Sequence, residues 1–241
     1  MRILCIGNSF SVDATRYLHQ IARCDKTELQ VHNLYIGGCP LDVHYLNMLT
    51  EEKKYEYWFN GENTSLRISL KEALANQAFT GWDYITIQQA SGKSPYFETY
   101  EPYITKVIKY VRKFAPKAKI VIHQTWGYET GSERLESMGY SNYNEMFAEI
   151  EASYNKAAEL INADVIIKSG ELLKTMLENG FETVHRDTFH ANLGYGRFAI
   201  GLLWYKTLTG RDITNTTFRD FDIEVSEEEV TKAIKCVNMI S

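Results

Sequence analysis

The sequence has few cysteines, and their spacing limits what they can do. Four are present in the 241 residues, Cys5, Cys24, Cys39 and Cys236. None belongs to a CxxC pair or to a Cys/His pattern with the spacing of a zinc site. A disulfide framework or a structural zinc centre is therefore not indicated. We expect free, buried thiols in a reducing compartment, and no metal.

Other absences exclude further classes of protein. The formal net charge is −5, and the only basic cluster, between residues 106 and 119, has the pattern of one solvated helix face. Neither nucleic acid nor an anionic membrane is therefore an expected partner. The apolar runs are strand-sized, which is too short to span a bilayer. No signal peptide fits before a strand that begins at Arg2, so the expected location is cytoplasmic.

Sequence motifs for nucleotide chemistry are also missing. There is no Walker motif, no GxGxxG and no acidic metal cluster, which disfavours phosphoryl or nucleotide chemistry. Internal repeats, low-complexity tracts and a second domain boundary are not visible either. The composition, 44% hydrophobic and 24% charged, is that of one soluble globular domain able to bury a full core. We predict a single domain over residues 1–241 that needs no cofactor.

What is present is an alternation of strand-like and helix-like segments. The predicted strands are Ile3–Ile6, Leu29–Ile36, Tyr84–Gln88, Ile120–His123 and Val165–Ile167. The helical patterns are Val12–Cys24, Tyr100–Phe114, Tyr143–Ile161, Leu172–Leu177, Leu193–Leu208 and a last helix that follows a capping box at Ser226. This alternation predicts βαβ units and a parallel sheet of five strands with helices on both faces.

Two segments interrupt the alternation. Residues Tyr55–Ile68 predict a small β-hairpin around Asn60-Gly61. Residues 127–142 are polar and glycine-rich, which is typical of a surface loop or of a lid over a site. The sequence does not decide between those two.

The turn after the first strand, Gly7-Asn8-Ser9, has two interpretations. Gly7 with Ser9 or Ser11 could simply supply the turn and the N-cap of the following helix. Alternatively, Ser9 is a nucleophile whose Oγ lies above the carboxyl edge of the sheet, where open α/β folds bind ligands. Its own N–H would then point from a helix N-terminus towards a developing oxyanion. A nucleophilic serine needs a histidine base and an acid that orients it.

The best candidates for these partners are Asp187 and His190. Three residues apart and just before a helix, the carboxylate can fold back onto Nδ1 of the imidazole, leaving Nε2 free to take a proton. The alternative is a turn aspartate beside a partly exposed histidine at a helix entry. His185 is a rival base without that spacing, and His123 is interpreted as a structural histidine at a strand end.

Taken together, these segments resemble the SGNH (GDSL-type) hydrolase superfamily. The order of a serine block, a glycine after the second strand and Asp-xx-His fits the chain from Ser9 to about Gly210. The strings GNSFS, QQAS after the third strand and HQTW after the fourth are similar to an uncharacterised branch of that superfamily. The resemblance implies a three-layer α/β/α, flavodoxin-like fold and ester hydrolysis. It also implies small O-acyl substrates, acetylated carbohydrate among them.

The resemblance assigns roles by position. Ser9 matches the nucleophile, His190 the general base and Asp187 the acid. The oxyanion hole would use the N–H of Ser9 and the N–H of Gly38, with Gly37 as a one-residue alternative.

The chain departs from the superfamily pattern in two places. The aspartate before the nucleophile is Asn8 here. The third-block Gly-x-Asn-Asp is replaced by Gln88 and Gln89, either of which could donate an amide hydrogen to the oxyanion through a longer side chain. Strand alternation places the two on opposite faces, so one is expected to face the site, and Gln88 is favoured.

Trp126 and Tyr128 follow the fourth strand at the same edge of the sheet. They could stack on a sugar ring or close the wall of a pocket, and we count them with Asn8 as substrate-binding candidates. The predicted function is therefore a serine esterase acting on a small-molecule or carbohydrate ester. The alternative is a non-catalytic glycan- or anion-binding protein on the same fold, which would not need Asp187 and His190. The oligomeric state is not indicated.

Overall fold

A computed structural model of the chain describes residues 1–75 and 81–241. Over these residues seven strands form one sheet in the order β4-β3-β2-β1-β5-β6-β7. The strands are β1 Arg2–Gly7, β2 Gln30–Tyr35, β3 Tyr55–Phe59, β4 Glu62–Ile68, β5 Tyr84–Ile87, β6 Lys119–Gln124 and β7 Val165–Lys168. The five predicted strands, here β2-β1-β5-β6-β7, are mutually parallel. The predicted α/β/α class is confirmed.

The helices described are α1 Ser9–Thr15, α2 Leu18–Cys24, α3 Leu41–Thr50, α4 Leu70–Ala75, α5 Tyr103–Phe114, α6 Glu133–Ser137, α7 Tyr143–Ile161, α8 Ser169–Glu178, α9 Tyr195–Thr209 and α10 Glu227–Met239. One group, α1, α2, α8 and α10, packs around α9, and a second, α3, α4 and α7, packs around α5. The sheet lies between them, and β1 is buried along nearly its whole length. None of the helices in the described part of the chain is both long and apolar enough to cross a membrane.

The hairpin forms around Asn60-Gly61, as predicted. Both turn residues have positive φ, 52° and 89°, which is the backbone that Asn-Gly favours in a two-residue turn. The hairpin is not a separate insertion, however. Its first strand, β3, pairs antiparallel with β2 and extends the parallel sheet from five strands to seven.

Several helices differ from the predictions, and two of the differences are instructive. The segment predicted as one helix, Val12–Cys24, begins earlier, at Ser9, and is divided into α1 and α2. Helix α3 was not predicted, because it buries His44 and Asn47 while it exposes Leu46 and Leu49. At these four positions the burial is thus the reverse of the usual amphipathic pattern, although Leu41 at the start of the helix is buried.

The topology places a ligand-binding crevice near β1. This strand pairs with β2 on one side and with β5 on the other, so the chain changes direction across the sheet at this point. Loops at the carboxyl ends of strands diverge at such a switch point and leave room for a ligand. The turn that carries Ser9 follows β1 directly.

Candidate functional site

An amide, and not a serine, caps the helix that begins at Ser9. The side chain of Asn8 accepts a hydrogen bond from the N–H of Phe10, at 3.1 Å. Ser11 turns inward and bonds to the carbonyl of Asn8 at 2.8 Å. Gly7 is required here, because a Cβ at this position would lie 2.4 Å from the Ser11 hydroxyl oxygen. Capping by Ser9 or Ser11 is therefore not observed, and the hydroxyl of Ser9 is left for another partner.

That partner is His190. Its Nε2 lies 2.8 Å from Oγ of Ser9, and its Nδ1 lies 2.8 Å from a carboxylate oxygen of Asp187. The backbone N–H of His190 donates to the other carboxylate oxygen at 2.9 Å. The carboxylate thus folds back onto the imidazole, as the three-residue spacing predicts.

The charge on Asp187 fixes the tautomer of the ring. Burial raises the pKa of Asp187, but the hydrogen bonds from His190, together with the electrostatic effects of His190 and Arg186, outweigh it, and the net pKa lies below the usual value. An ionised carboxylate only accepts hydrogen bonds, so Nδ1 carries the hydrogen and Nε2 is the acceptor that faces Ser9.

The pair Ser9 and His190 opens into a cavity of about 640 Å³ at the carboxyl edge of the sheet. That volume is in the range of small-molecule sites. The loops after β1, β2 and β5 contribute to its wall, together with α6 and the loop that carries His190. The lining residues are Asn8, Ser9, Tyr35, Gly37, Gly38, Pro40, Ala90, Ser91, Gly92, Lys93, Tyr128, Arg134, Phe189 and His190.

Backbone donors are available beside the nucleophile. The N–H groups of Ser9 and Gly38 have no hydrogen-bond acceptor among the described residues. Gly38 has a φ of +61°, a left-handed conformation that glycine adopts without strain. The amide of Asn8 donates to the carbonyl of Cys39 at 3.1 Å, which holds the glycine loop against the turn of Ser9. Gly37 also lines the cavity.

The two glutamines lie elsewhere than expected. Gln88 donates from Nε2 to Asn8 at 2.8 Å and accepts from Nδ1 of His123. Gln89 donates from Nε2 to Thr99 at 3.1 Å and accepts from the N–H of Leu41. They contact different elements, as strand alternation predicts, but neither lines the cavity. Buried amides must satisfy their hydrogen bonds, and here the surrounding elements do so. Gln88 therefore holds the side chain of Asn8, which caps the helix, through a hydrogen bond.

The aromatic candidates also differ from one another. Tyr128 reaches the cavity, where its hydroxyl lies 2.9 Å from Oγ of Ser91. Trp126 is fully buried and stacks on Phe10, with ring centroids 4.2 Å apart. Its indole N–H donates to the carbonyl of Phe189 at 2.8 Å. Trp126 thus lies behind the wall and supports the loop of His190, so it cannot stack on a sugar ring without rearrangement.

The rival histidines are occupied in the interior. His123 bonds through Nε2 to Ser169 at 3.1 Å, and burial lowers its pKa to about 3. His185 bonds through Nε2 to the carbonyl of Gly127 at 2.9 Å, and burial lowers its pKa too. Neither lines the cavity of Ser9. His123 is therefore structural, as expected.

The buried histidines give a testable acid sensitivity. Burial lowers the pKa of His123 to about 3 and that of His44 to about 4, so both are neutral in the folded protein. In the unfolded chain they titrate near about 6.5, and below that pH the unfolded state binds more protons. Their contribution to stability is complete above that pH and is lost as the pH falls towards 4. As the pH falls through this range, each histidine should lower the free energy of unfolding by on the order of 1 kcal/mol per pH unit.

Urea unfolding between pH 7 and pH 4 measures this loss. The variant His123→Gln should show a shallower decline of the free energy of unfolding than the parent protein. An equally steep decline in both proteins would contradict the assignment to His123.

Sequence reasoning missed a carboxylate that joins the two halves of the site. Asp13 lies one turn after Ser9 on α1, and its side chain is only 1% exposed. It accepts hydrogen bonds from Arg186, from Arg197 and from the backbone N–H of Ala191. Arg186 and Ala191 bracket the segment that carries the acid and the base. The partners of Asp13 are 173 or more positions away, so no local pattern indicated its role.

The cavity residues Tyr35, Ser91, Arg134 and Phe189 were also missed as site residues. They come from a strand end, two separate loops and helix α6. No local pattern connects them, and only the topology brings them together.

Fold and site together define a class. This is a three-layer α/β/α protein with the SGNH-hydrolase type of fold. The chain belongs to the family DUF4886, described as a domain of unknown function, which matches residues 2–236. No curated protein sequence matches it.

Solved structures of other proteins have a similar fold. A DUF4886 family protein from Bacteroides uniformis is 29% identical, with a TM-score of 0.91 over 99% of this chain and 93% of that one. A protein from Slackia heliotrinireducens, provisionally described as an SGNH hydrolase, is 25% identical, with a TM-score of 0.61 over 86% and 98%. An acetylxylan esterase from Geobacillus stearothermophilus is similar in fold, at 12% identity and a TM-score of 0.58 over 86% and 94%.

Proposed function

We propose that this protein is a serine esterase that hydrolyses small O-acyl esters, and acetyl esters in particular, through an acyl-enzyme. The observation that carries the proposal is the hydrogen-bonded series from Asp187 through His190 to Ser9, which ends in an open cavity. A helix cap would not need a serine aimed at an oriented imidazole. A protein that only binds a glycan or an anion would not need the series either.

Each member of the series has a defined task in this reaction. Nε2 of His190 takes the proton of Ser9 as Oγ attacks the ester carbonyl. The ionised Asp187 stabilises the imidazolium that forms. The oxyanion accepts hydrogen bonds from the N–H groups of Ser9 and Gly38. The imidazolium then protonates the departing alcohol, and a water activated by His190 releases the acid from Ser9.

A carbohydrate is the proposed alcohol part of the ester. The cavity has room for a ligand of sugar size, and Tyr35, Tyr128 and Phe189 provide aromatic surface on its wall. Asn8 and Tyr128 remain candidates for contact with the substrate. The acetylxylan esterase with a similar fold acts on an acetylated carbohydrate, which supports the same substrate class here.

A fluorophosphonate, which forms a covalent adduct only with an activated serine, tests the proposal. Peptide mass analysis should locate the adduct on Ser9, and both Ser9→Ala and His190→Ala should abolish it. Ser91→Ala is the matched control, because Ser91 also lines the cavity and its loss should leave labelling unchanged. The unlabelled protein should release acetate from acetylated sugars, and labelling of Ser9 should abolish this activity. A folded protein that takes no adduct on Ser9 and cleaves no ester would contradict an esterase and favour the binding protein.

A further inference from the structure

One cation on the cavity wall has no acidic partner among the residues that the structure describes. Arg134 on α6 lines the cavity, and its guanidinium carbon lies 4.0 Å from the ring centroid of Phe189 and 5.6 Å from that of Tyr128. No ion pair joins Arg134 to a carboxylate in residues 1–75 and 81–241. Glutamates precede and follow it on the same helix, yet the side chain lies over the aromatic wall instead. Stacking leaves the N–H groups at the edge of the guanidinium available to a ligand.

The other charges of the cavity do not neutralise it. Lys93 is paired with Asp42, at 2.9 Å. Asp187 is engaged by His190 and has Arg186 nearby, at 3.9 Å. In a chain with a net charge of −5, the cavity of Ser9 therefore keeps one positive charge that no carboxylate of the described residues pairs with.

Arg134 also lies on a particular side of the nucleophile. The ring of Phe189, on which it stacks, is 3.9 Å from the ring of His190. The base hands its proton to the departing alcohol, so the alcohol part of the ester occupies the side of His190. A group on the alcohol part is therefore the one that Arg134 can contact.

We propose, on the basis of the esterase function above, that the alcohol part of the substrate carries a carboxylate that Arg134 binds. A guanidinium offers two parallel N–H groups that match the two oxygens of a carboxylate. An acetylated uronic acid has this chemistry, with the ester and the carboxylate on one sugar ring. The substrate class is thus an acylated acidic sugar.

The kinetic test uses acetylated methyl glucuronoside and its uncharged primary amide, which differ only at the carboxyl group. The parent protein should prefer the carboxylate in kcat/KM by about 10- to 100-fold, the range of hydrogen bonds to charged groups. Arg134→Gln should remove the preference, and Arg134→Lys should keep part of it. Arg23→Gln is the control for lost charge, because Arg23 is exposed on α2 and outside this cavity. Equal rates on both substrates in the parent, or an unchanged preference in Arg134→Gln, would overturn the proposal.

A second measurement separates this proposal from the esterase function. Methyl glucuronoside should slow fluorophosphonate labelling of Ser9 in the parent, but not in Arg134→Gln, each rate being compared with that of the same protein without sugar. Absence of protection would overturn the anion site and leave the esterase intact. If Ser9 takes no label at all, the esterase function fails. Calorimetric titration with the same sugar then decides whether Arg134 still binds a carboxylate. Absence of binding would overturn the carboxylate site as well.

Discussion

Asp187→Asn should lower kcat for acetyl esters by about 10³- to 10⁴-fold while KM changes little. Asparagine keeps the size of the side chain, but its amide nitrogen can donate to Nδ1 of the imidazole. His190 would then carry its hydrogen on Nε2, which lies 2.8 Å from Oγ of Ser9. A protonated Nε2 cannot accept the proton of Ser9. The substrate therefore still binds, but the attack of Oγ on the ester is slowed.

Asp220→Asn is the matched control for this measurement. Asp220 is exposed, lies outside the cavity, and its substitution changes the charge by the same amount. Its kcat should equal that of the parent. If Asp187→Asn retained more than about a tenth of the parental kcat, orientation of the imidazole by Asp187 would not be a part of the mechanism.

Local patterns were sufficient for much of the fold. Helix α7 has the predicted bounds, Tyr143–Ile161, because its apolar period is regular and Asn142 caps it. The capping box at Ser226 forms as well. Pairing partners far along the chain were not visible, so the docking of the hairpin onto β2 could not be foreseen. Helix α3 was not predicted because its local pattern of polar and apolar residues is misleading.

The site divides in the same way. The contact of Asp187 with His190 is local, and its spacing predicts it. The approach of His190 to Ser9, 181 positions apart, came from the resemblance to a known superfamily. Gln88 and Gln89 were expected to donate to the oxyanion, but both are bonded to buried neighbours. Residue type shows what an amide can donate, but it does not show which neighbour accepts the hydrogen bond. The catalytic roles of all these residues stay predictions until they are measured.

Asp13→Asn should have a large effect on stability and a separate one on catalysis. Removing one member of a buried ion group leaves the other charges uncompensated, which costs about 3–5 kcal/mol in the free energy of unfolding. Asp13 also holds Arg186 at 2.9 Å and the N–H of Ala191 at 3.1 Å, on either side of the Asp187–His190 segment. Displacement of that segment by about 1 Å would lower kcat on the order of 100-fold with little change in KM.

Asp222→Asn distinguishes positioning from stability, because Asp222 belongs to the same ion group but lies outside this contact. It pairs with Arg16 and Arg197, and it does not touch the segment of His190. We therefore expect Asp222→Asn to lower stability and to leave the labelling rate of Ser9 unchanged, whereas Asp13→Asn lowers both. Should Asp13→Asn not fold, Arg186→Met keeps Asp13 paired with Arg197 and with the N–H of Ala191, and removes only the contact of Asp13 with Arg186. An unchanged labelling rate in folded Arg186→Met and Asp13→Asn would show that Asp13 stabilises the fold without positioning the base.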